Sequence, residues 1–235
     1  MKPARHERTA IVRPLTLAIL VAGGLLVAVA TPAAGAAHRM PAETPPPEWT
    51  QVPEPPDVRD TPTNLQGAFT NEMNAYGRYS GYERQAYAEG LPAIARLFRA
   101  CAVAESVHAR RDVQAIALTG QPARAVLEKL VVGTTAQNLE TAIGCERYEV
   151  DVWYPALRAR ALADRQPMAV RSLTLALQAE RGHLELLTAA QASLGGSALA
   201  GTYFVCPFCG HTCEARPVRC CPACFTRAGR FLRPV

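Results

Sequence analysis

The sequence predicts a mainly α protein, in which a four-helix bundle precedes a small C-terminal module that binds a metal through four cysteines. Long segments rich in Ala, Leu, Glu and Arg carry apolar residues at helical spacing between Pro and Gly breaks. A set of residues recurs after 74 or 75 positions. Six of the eight cysteines fall between Cys206 and Cys224, so the rest of the fold must rely on packing.

Length and composition limit the classes of protein to consider. The 235 residues are 49% hydrophobic and 19% charged, which is enough apolar sequence for a sizeable core. The net charge is +5, but residues 1–36 hold four basic residues and one acidic residue, which leaves +2 for the remainder. Charge therefore gives no support for nucleic-acid binding, and we expect no nucleic-acid partner.

The N-terminal region indicates export. Residues 1–13 are basic, residues 15–30 are an apolar run, and Ala34-Gly35-Ala36 offers small residues at the spacing that a signal peptidase needs. We predict that residues 1–36 are a signal peptide or an uncleaved membrane anchor, which places the mature domain outside the cytoplasm, in the periplasm or an equivalent compartment. Residues 37–62 are a Pro-rich linker, an extended tether that would join an anchored form to the membrane.

Breaks in the helical pattern predict the elements of the bundle, which we place at residues 63–195. Pro and Gly residues separate helices at about 63–89, 92–118, 135–164 and 167–193. Short connections make the first pair and the second pair antiparallel hairpins. Residues 119–134 are long enough to cross over between them.

An internal repeat relates the two hairpins. Four residues of the first hairpin recur 74 positions later: Asn64, Leu65, Ala68 and Glu72 correspond to Asn138, Leu139, Ala142 and Glu146. At a displacement of 75, Pro92, Glu105 and His108 recur as Pro167, Glu180 and His183. The hairpins are predicted to be duplicates, with one residue inserted near the hairpin turn.

The repeat also places acidic and imidazole side chains in the bundle interior. Glu105 and His108, like Glu180 and His183, are three residues apart and share one helix face. Glu72 and Glu146 occupy matching positions on the other helix of each hairpin. A single Glu-x-x-His is often an exposed glutamate with an incidental histidine, but four elements in register predict a carboxylate-bridged site for two metal ions.

Three further side chains are candidates for the same site. Glu149 follows Glu146 by three residues and has no counterpart in the first hairpin, where Ala75 stands; it could ligate a metal or only accept hydrogen bonds beside one. Tyr79 lies seven residues after Glu72, and Tyr154 lies eight after Glu146. Each tyrosine could hydrogen-bond a ligand carboxylate or be an ordinary packed core residue.

The C-terminal segment, residues 203–235, is here called the four-cysteine module. Two Cys-x-x-Cys turns, formed by Cys206 and Cys209 and by Cys221 and Cys224, predict a tetrahedral thiolate site that suits either zinc or a single iron. Disulfide pairing is a third reading, but two such turns in one segment more often hold a metal. The sequence does not decide whether the other four cysteines form disulfides. Cys213 and Cys220 are free or bonded to each other, and Cys101 and Cys145 are a disulfide or, as we favour, packed thiols.

At these residues the chain resembles the rubrerythrin family, which consists of ferritin-like di-iron proteins with a C-terminal rubredoxin-like domain. The resemblance covers about residues 61–235. It rests on Asn64-Leu65 through Glu72, AVAESVHAR around Glu105, CERYEVDVWYP from Cys145, QAERGH around Glu180, and YFVCPFCG with RCCPAC. The segment with Glu146, Glu149 and Tyr154 is its most specific part.

The resemblance implies a role for each candidate residue. The two irons would be held by the carboxylates and imidazoles of Glu72, Glu105, His108, Glu146, Glu180 and His183. Glu149 would exchange with a histidine as one iron changes oxidation state, and Tyr79 and Tyr154 match tyrosines that hydrogen-bond the ligands. A third iron, for electron transfer, would be held by Cys206, Cys209, Cys221 and Cys224.

The function implied is reduction of hydrogen peroxide to water, with electrons from an unidentified donor relayed through the four-cysteine iron, in a homodimer. Two alternatives remain at this point. The protein could be a ferroxidase that handles iron, or a scaffold in which a zinc-filled four-cysteine knuckle presents a partner surface. The scaffold fits the sequence less well, because burying a carboxylate cluster without cations is costly.

Overall fold

The computed structural model describes residues 57–194, 199 and 201–234. The predicted leader and most of the predicted Pro-rich linker lie outside these residues. Among the helices of the described part, none is long and apolar enough to cross a membrane.

The described chain is mainly helical, which confirms the predicted fold class. The helices are α1 (Thr61–Ala88), α2 (Pro92–Ala117), α3 (Thr135–Tyr148), α4 (Tyr154–Ala163) and α5 (Pro167–Ser193). A five-residue π-helical segment, Glu149–Trp153, joins α3 to α4, and the three together form one long helix. The four-cysteine module contains a short antiparallel pair, β1 (Phe204–Val205) and β2 (Thr212–Cys213), and a 3-10 turn, Ala228–Arg230.

Local sequence explains where the helices begin. Asp60 caps α1 by accepting a hydrogen bond from the Thr63 N–H, and Thr134 forms a capping box with Gln137 at the start of α3. Pro92 and Pro167 occupy first-turn positions, where a missing N–H costs nothing.

The duplication is visible in the backbone contacts of the two halves. The Asn64 side chain bonds both polar backbone groups of Arg59, at 2.9 Å each. The Asn138 side chain does the same to Gly133, at 2.9 and 3.0 Å. Each asparagine thus ties the start of its hairpin to the residue five positions earlier, so the repeated Asn has a repeated structural task.

The expected position of the inserted residue was wrong. Tyr154 is already displaced by 75 from Tyr79, whereas Glu146 is displaced by 74 from Glu72, so the extra residue lies between Glu146 and Tyr154 and not at the hairpin turn. The π-helical segment Glu149–Trp153 occupies this interval. One added residue in a helix is accommodated by such a wider turn, which keeps the helices on either side in register.

The crossover has no regular structure, and α1 supports it. Gln66, Thr70 and Asn74, one turn apart, bond the backbone of Pro122, Arg124, Val126 and Glu128 at 2.8–3.4 Å. These contacts replace the hydrogen bonds that a helix or a strand would supply.

The apolar core forms two clusters in the bundle. One surrounds Phe98, Leu139 and Leu187, and the other surrounds Leu65, Ile116 and Leu173. Tyr203 and Val205 of the four-cysteine module belong to the first cluster, so the module packs directly on the bundle. Buried polar side chains, described next, contact both clusters.

Candidate metal centres

Seven carboxylate and imidazole groups converge in the bundle interior, and all seven are at most 6% exposed. They are the residues predicted from the repeat: Glu72, Glu105, His108, Glu146, Glu149, Glu180 and His183. Each Glu-x-x-His pair is in contact, with Nδ1 of His108 2.9 Å from Glu105 and Nδ1 of His183 2.7 Å from Glu180.

The groups form two ligand sets that share two members. The first set is Glu72, Glu105, His108 and Glu180, and the second is Glu105, Glu146, Glu180 and His183. Glu105 directs Oε2 to His108 and Oε1 to His183, at 2.9 and 3.6 Å. Glu180 directs Oε1 to His108 and Oε2 to His183, at 2.8 and 2.7 Å. Two shared carboxylates with one oxygen toward each half are arranged as bridges between two cations.

Several of these atoms have no hydrogen-bond partner. They are Glu72 Oε2, Glu146 Oε2, both Glu180 oxygens and His183 Nδ1. Buried polar atoms without partners are rare in folded proteins, and each requires an explanation. Because the orphaned atoms face one another and are all oxygen or imidazole nitrogen donors, the residues fit a pair of iron ions.

Without cations, burial of the carboxyl groups close to one another shifts their pKa values. Burial, followed by neighbouring carboxylates, raises the pKa of Glu72 and Glu149 well above the ordinary value and that of Glu146 to about 8. Burial also disfavours charge on Glu180, but His108 and His183 outweigh it and lower the pKa of Glu180. Glu180 is thus the carboxylate that most readily stays ionised between the two imidazoles.

These shifts predict how pH affects the metal-free protein. Between pH 5 and 8 the folded state keeps a proton on Glu146 that the unfolded chain has lost, so the free energy of unfolding falls as pH rises. The raised pKa values of Glu72 and Glu149 act in the same direction. Above pH 6.5 the raised pKa values of His108 and His183 also make the free energy of unfolding fall as pH rises. We expect the melting temperature of chelator-treated protein to be at least ~5 °C lower at pH 8 than at pH 5, since 1 kcal/mol of stability corresponds to roughly 2–4 °C for a protein of this size.

The control is the same protein loaded with iron, in which ligation has already removed the protons of Glu72 and Glu146. Its melting temperature should change less over the same pH interval. A metal-free protein whose melting temperature rises from pH 5 to pH 8 would contradict the prediction.

Both predicted tyrosines touch the site, and each reaches across to the other hairpin. The Tyr79 hydroxyl donates to Glu146, and the Tyr154 hydroxyl donates to Glu72. Both rings are buried, and each stabilises a carboxylate that belongs to only one ligand set. The contacts show the same approximate two-fold relation as the repeat, and they orient one glutamate in each half.

Glu149 belongs to neither ligand set. It lies on the π-helical segment, and its Oε1 accepts a hydrogen bond of 2.9 Å from the side chain of Asn71. Both residues line a cavity of about 460 Å³ that also contacts Arg78, Cys145 and Trp153. Sequence reasoning missed Asn71, because its repeat partner, Cys145, shares no chemistry with it.

The four-cysteine module brings its predicted ligands together. Cys206 Sγ lies 3.5 Å from Cys224 Sγ, and Cys209 Sγ lies 3.6 Å from Cys221 Sγ. Tetrahedral sulfurs at a metal–sulfur distance of ~2.3 Å are roughly 3.8 Å apart, so the four fit one ion. Contacts with Cys209 and Cys221 and with backbone N–H groups lower the pKa of Cys206, which favours thiolate.

The other four cysteines are thiols in this structure: Cys101, Cys145, Cys213 and Cys220. Cys101 is buried in the apolar cluster around Phe98, whereas Cys145 lies in the wall of the cavity that contains Glu149. Cys101 therefore packs as a small apolar group, as predicted, whereas Cys145 is a free thiol in a cavity wall.

The module contacts the outer nitrogen of both imidazoles, which the sequence did not predict. His108 Nε2 lies 3.1 Å from the backbone oxygen of Cys209, and His183 Nε2 lies 3.2 Å from Thr212 Oγ1. Gly210, at φ +80°, makes the close approach possible, because a Cβ there would overlap the His108 ring. The histidines of the bundle site are therefore in direct contact with the four-cysteine module of the same chain.

Comparisons with known proteins agree with this geometry. A family model described as Rubrerythrin matches residues 63–191. Rubrerythrin-2 of Clostridium acetobutylicum is 30% identical over 171 residues, covering 71% of this chain and 92% of that protein. Nigerythrin of Nitratidesulfovibrio vulgaris is 30% identical over 178 residues, covering 74% and 86%. A solved structure of fully reduced, all-ferrous nigerythrin is similar at a TM-score of 0.70 and 27% identity, covering 83% and 98%.

Proposed function

The chain belongs to the rubrerythrin family, and on that premise we propose that it reduces hydrogen peroxide to water at the buried Glu/His cluster. The family is one of di-iron oxidoreductases, with a Glu/His di-iron site in the bundle and a four-cysteine site for one iron. Peroxide as the oxidant, the electron route and the cellular location are the parts that we propose.

The observation that carries the proposal is the pair of shared carboxylates. Glu105 and Glu180 each direct one oxygen toward each imidazole, so the site is built for two adjacent cations. When bound there as ferrous ions, the irons supply the two electrons that convert one peroxide and two protons into two waters.

We assign the remaining ligands by their position in the two sets. Glu72 with His108, and Glu146 with His183, would each complete the coordination of one iron. Tyr79 and Tyr154 hold Glu146 and Glu72 in place through their hydroxyl groups. Buried between two apolar clusters, the ligands have few alternative partners and so keep this arrangement.

The cavity beside Glu149 supports a route for peroxide and protons. It is about 460 Å³ in volume, large enough for several small molecules, and Glu149 forms part of its wall. Because burial raises the pKa of this carboxyl group, Glu149 holds a proton that it can pass inward from the cavity. Asn71 keeps Oε1 of Glu149 on the cavity side of the ligand cluster.

The contact between the module and the bundle supports an electron route within one chain. An electron at the four-cysteine site is separated from the bundle site by the backbone of Cys209, one hydrogen bond of 3.1 Å and the His108 imidazole. An iron held by the four thiolates of the module would accept electrons one at a time from a separate donor. Assembly into a homodimer, which the family resemblance implies, remains part of the proposal.

We further propose that the protein acts outside the cytoplasm. The proposal depends on the basic, apolar and small-residue segments of residues 1–36, and on the Pro-rich segment that follows them. N-terminal sequencing of the protein from fractionated cells tests it. An intact Met1 in a cytoplasmic fraction would overturn it.

The catalytic proposal is tested by metal analysis followed by anaerobic reduction and rapid mixing with peroxide or with oxygen. We expect about three irons per chain, one of them in a four-sulfur site. We expect one peroxide to remove two electrons, and peroxide to react at least ~100-fold faster than oxygen, as a site arranged for peroxide cleavage requires. Faster reaction with oxygen would favour a ferroxidase, and zinc in the module with an iron-inert bundle would favour a scaffold.

A further inference from the structure

The outer nitrogens of both ligand imidazoles end on the four-cysteine module. His108 and His183 are at most 1% exposed, so neither Nε2 can find water instead. Cys209 offers a backbone oxygen to the first and Thr212 a hydroxyl oxygen to the second, at 3.1 and 3.2 Å. The two residues that make these contacts are only three positions apart, since Cys209 ends the first Cys-x-x-Cys turn and Thr212 lies on β2.

The two contacts fix which ring nitrogen carries the proton. The Cys209 carbonyl can only accept, so His108 Nε2 must donate. Thr212 Oγ1 already donates its own proton to the Gly210 backbone oxygen at 3.0 Å, so toward His183 it too can only accept. Both imidazoles therefore carry hydrogen on Nε2, so Nδ1, which faces the carboxylates, is the nitrogen that can lose its proton and bind a metal.

That tautomer is the one that metal ligation requires. Nδ1 of each ring is the atom that lies within 2.9 Å of the shared carboxylates. An imidazole binds a metal through an unprotonated nitrogen, and a hydrogen bond from the other nitrogen orients the ring and increases its basicity. In this chain the acceptors of both hydrogen bonds belong to the module and neither belongs to the bundle.

We propose that the four-cysteine module completes the bundle metal site, through the Cys209 backbone oxygen and Thr212, so that metal binding at the two sites is coupled. Thr212 acts as a positioning residue for His183. A module that folds around its own metal presents both acceptors, whereas an empty module presents them poorly. By reciprocity, a metal in the bundle strengthens metal binding in the module by the same factor. The inference uses the ligand assignments of the proposed function, but not peroxide as the oxidant.

The test measures affinity for cobalt in the full chain without any turnover. The module is first filled with one equivalent of zinc, and the bundle is then titrated with Co²⁺ in a competition with a chelator. Removing an outer partner of a metal-bound histidine typically costs roughly 10- to 100-fold in affinity. We expect that loss for Thr212→Val, which leaves the His183 N–H buried without an acceptor, and recovery for Thr212→Ser, which restores the hydroxyl.

Two controls separate positioning from general damage. Thr188→Val makes the same change on α5, at an exposed residue whose hydroxyl bonds only the Leu184 backbone oxygen, and should leave cobalt affinity unchanged. Hyperfine-shifted N–H proton signals of the cobalt-loaded protein report each imidazole separately. Thr212→Val should move the His183 signal and leave that of His108, which a loosened fold would not do.

A second variant tests the coupling itself. Cys221→Ser with Cys224→Ser empties the module and alters no residue that touches either histidine. We expect the bundle to lose about 10-fold or more in cobalt affinity through the coupling. If the isotherms of this variant and of Thr212→Val both match the parent protein, the inference is wrong. A protein with coupled sites that fails to reduce peroxide would instead refute only the proposed function.

Discussion

Glu180→Gln is expected to remove both irons from the bundle while the four-cysteine site stays filled. Glu180 is the only residue with an oxygen within 2.8 Å of each imidazole Nδ1 in the described part of the chain, and it belongs to both ligand sets. Its ionised carboxylate also raises the pKa of both histidines. The amide keeps the volume and adds no buried charge, so the fold should persist.

The measurement is iron content together with peroxide turnover. Iron should fall from about three to about one per chain, and turnover by more than the ~100-fold that an outer contact supplies, because a shared ligand serves both ions. Glu185→Gln, an exposed glutamate on the same helix, is the matched control and should keep three irons. A Glu180→Gln protein that retains two irons in the bundle would show that the carboxylate is not a shared ligand.

Gly210→Ala is expected to disconnect the two centres, and the variant and the parent protein are both loaded with excess iron before they are compared. Gly210 has φ +80°, and a Cβ would overlap the His108 ring. Forcing an overlap of this kind into a packed interface costs about 1–3 kcal/mol. The ratio of docked to undocked module should therefore fall by roughly 5- to 150-fold.

Stopped-flow absorption of the four-cysteine iron measures this effect. After peroxide oxidises the bundle site of fully reduced protein, the module iron should be oxidised more slowly in Gly210→Ala by a comparable factor. Gly229→Ala is the control, since a Cβ at Gly229 meets nothing within 4 Å and its backbone is not left-handed. Equal rates in the parent and in Gly210→Ala would mean that electrons do not pass at this contact.

The sequence was informative wherever chemistry repeats with a helical period. Glu105, His108, Glu180 and His183 could be assigned to one interior site because their spacing places them on one face and the duplication doubles the evidence. The Cys-x-x-Cys pairs were equally clear, because a thiolate site needs only two short turns. The structure then placed the tyrosine hydroxyls across the hairpins, a choice that the spacing within one helix left open.

What the sequence did not reveal depends on contacts between distant segments. Cys209 lies 101 residues from His108, and Thr212 lies 29 residues from His183. No period relates such pairs, so only the folded chain shows that the module binds both imidazoles. Asn71 escaped notice for a similar reason, since its contact with Glu149 spans 78 residues. The inserted residue was misplaced because an α-helix of uniform pitch was assumed through residue 164.

The π-helical segment Glu149–Trp153 has a consequence for how the site stores electrons. Two ions with identical surroundings would have nearly identical reduction potentials. By bringing a further carboxyl group near one half only, the segment gives the two ions different surroundings, and we expect their potentials to separate. A half-reduced state of the two ions would then be stable enough to accumulate between the arrival of the first and the second electron. A donor that supplies one electron at a time could thus reduce both ions in turn before the centre transfers two electrons together.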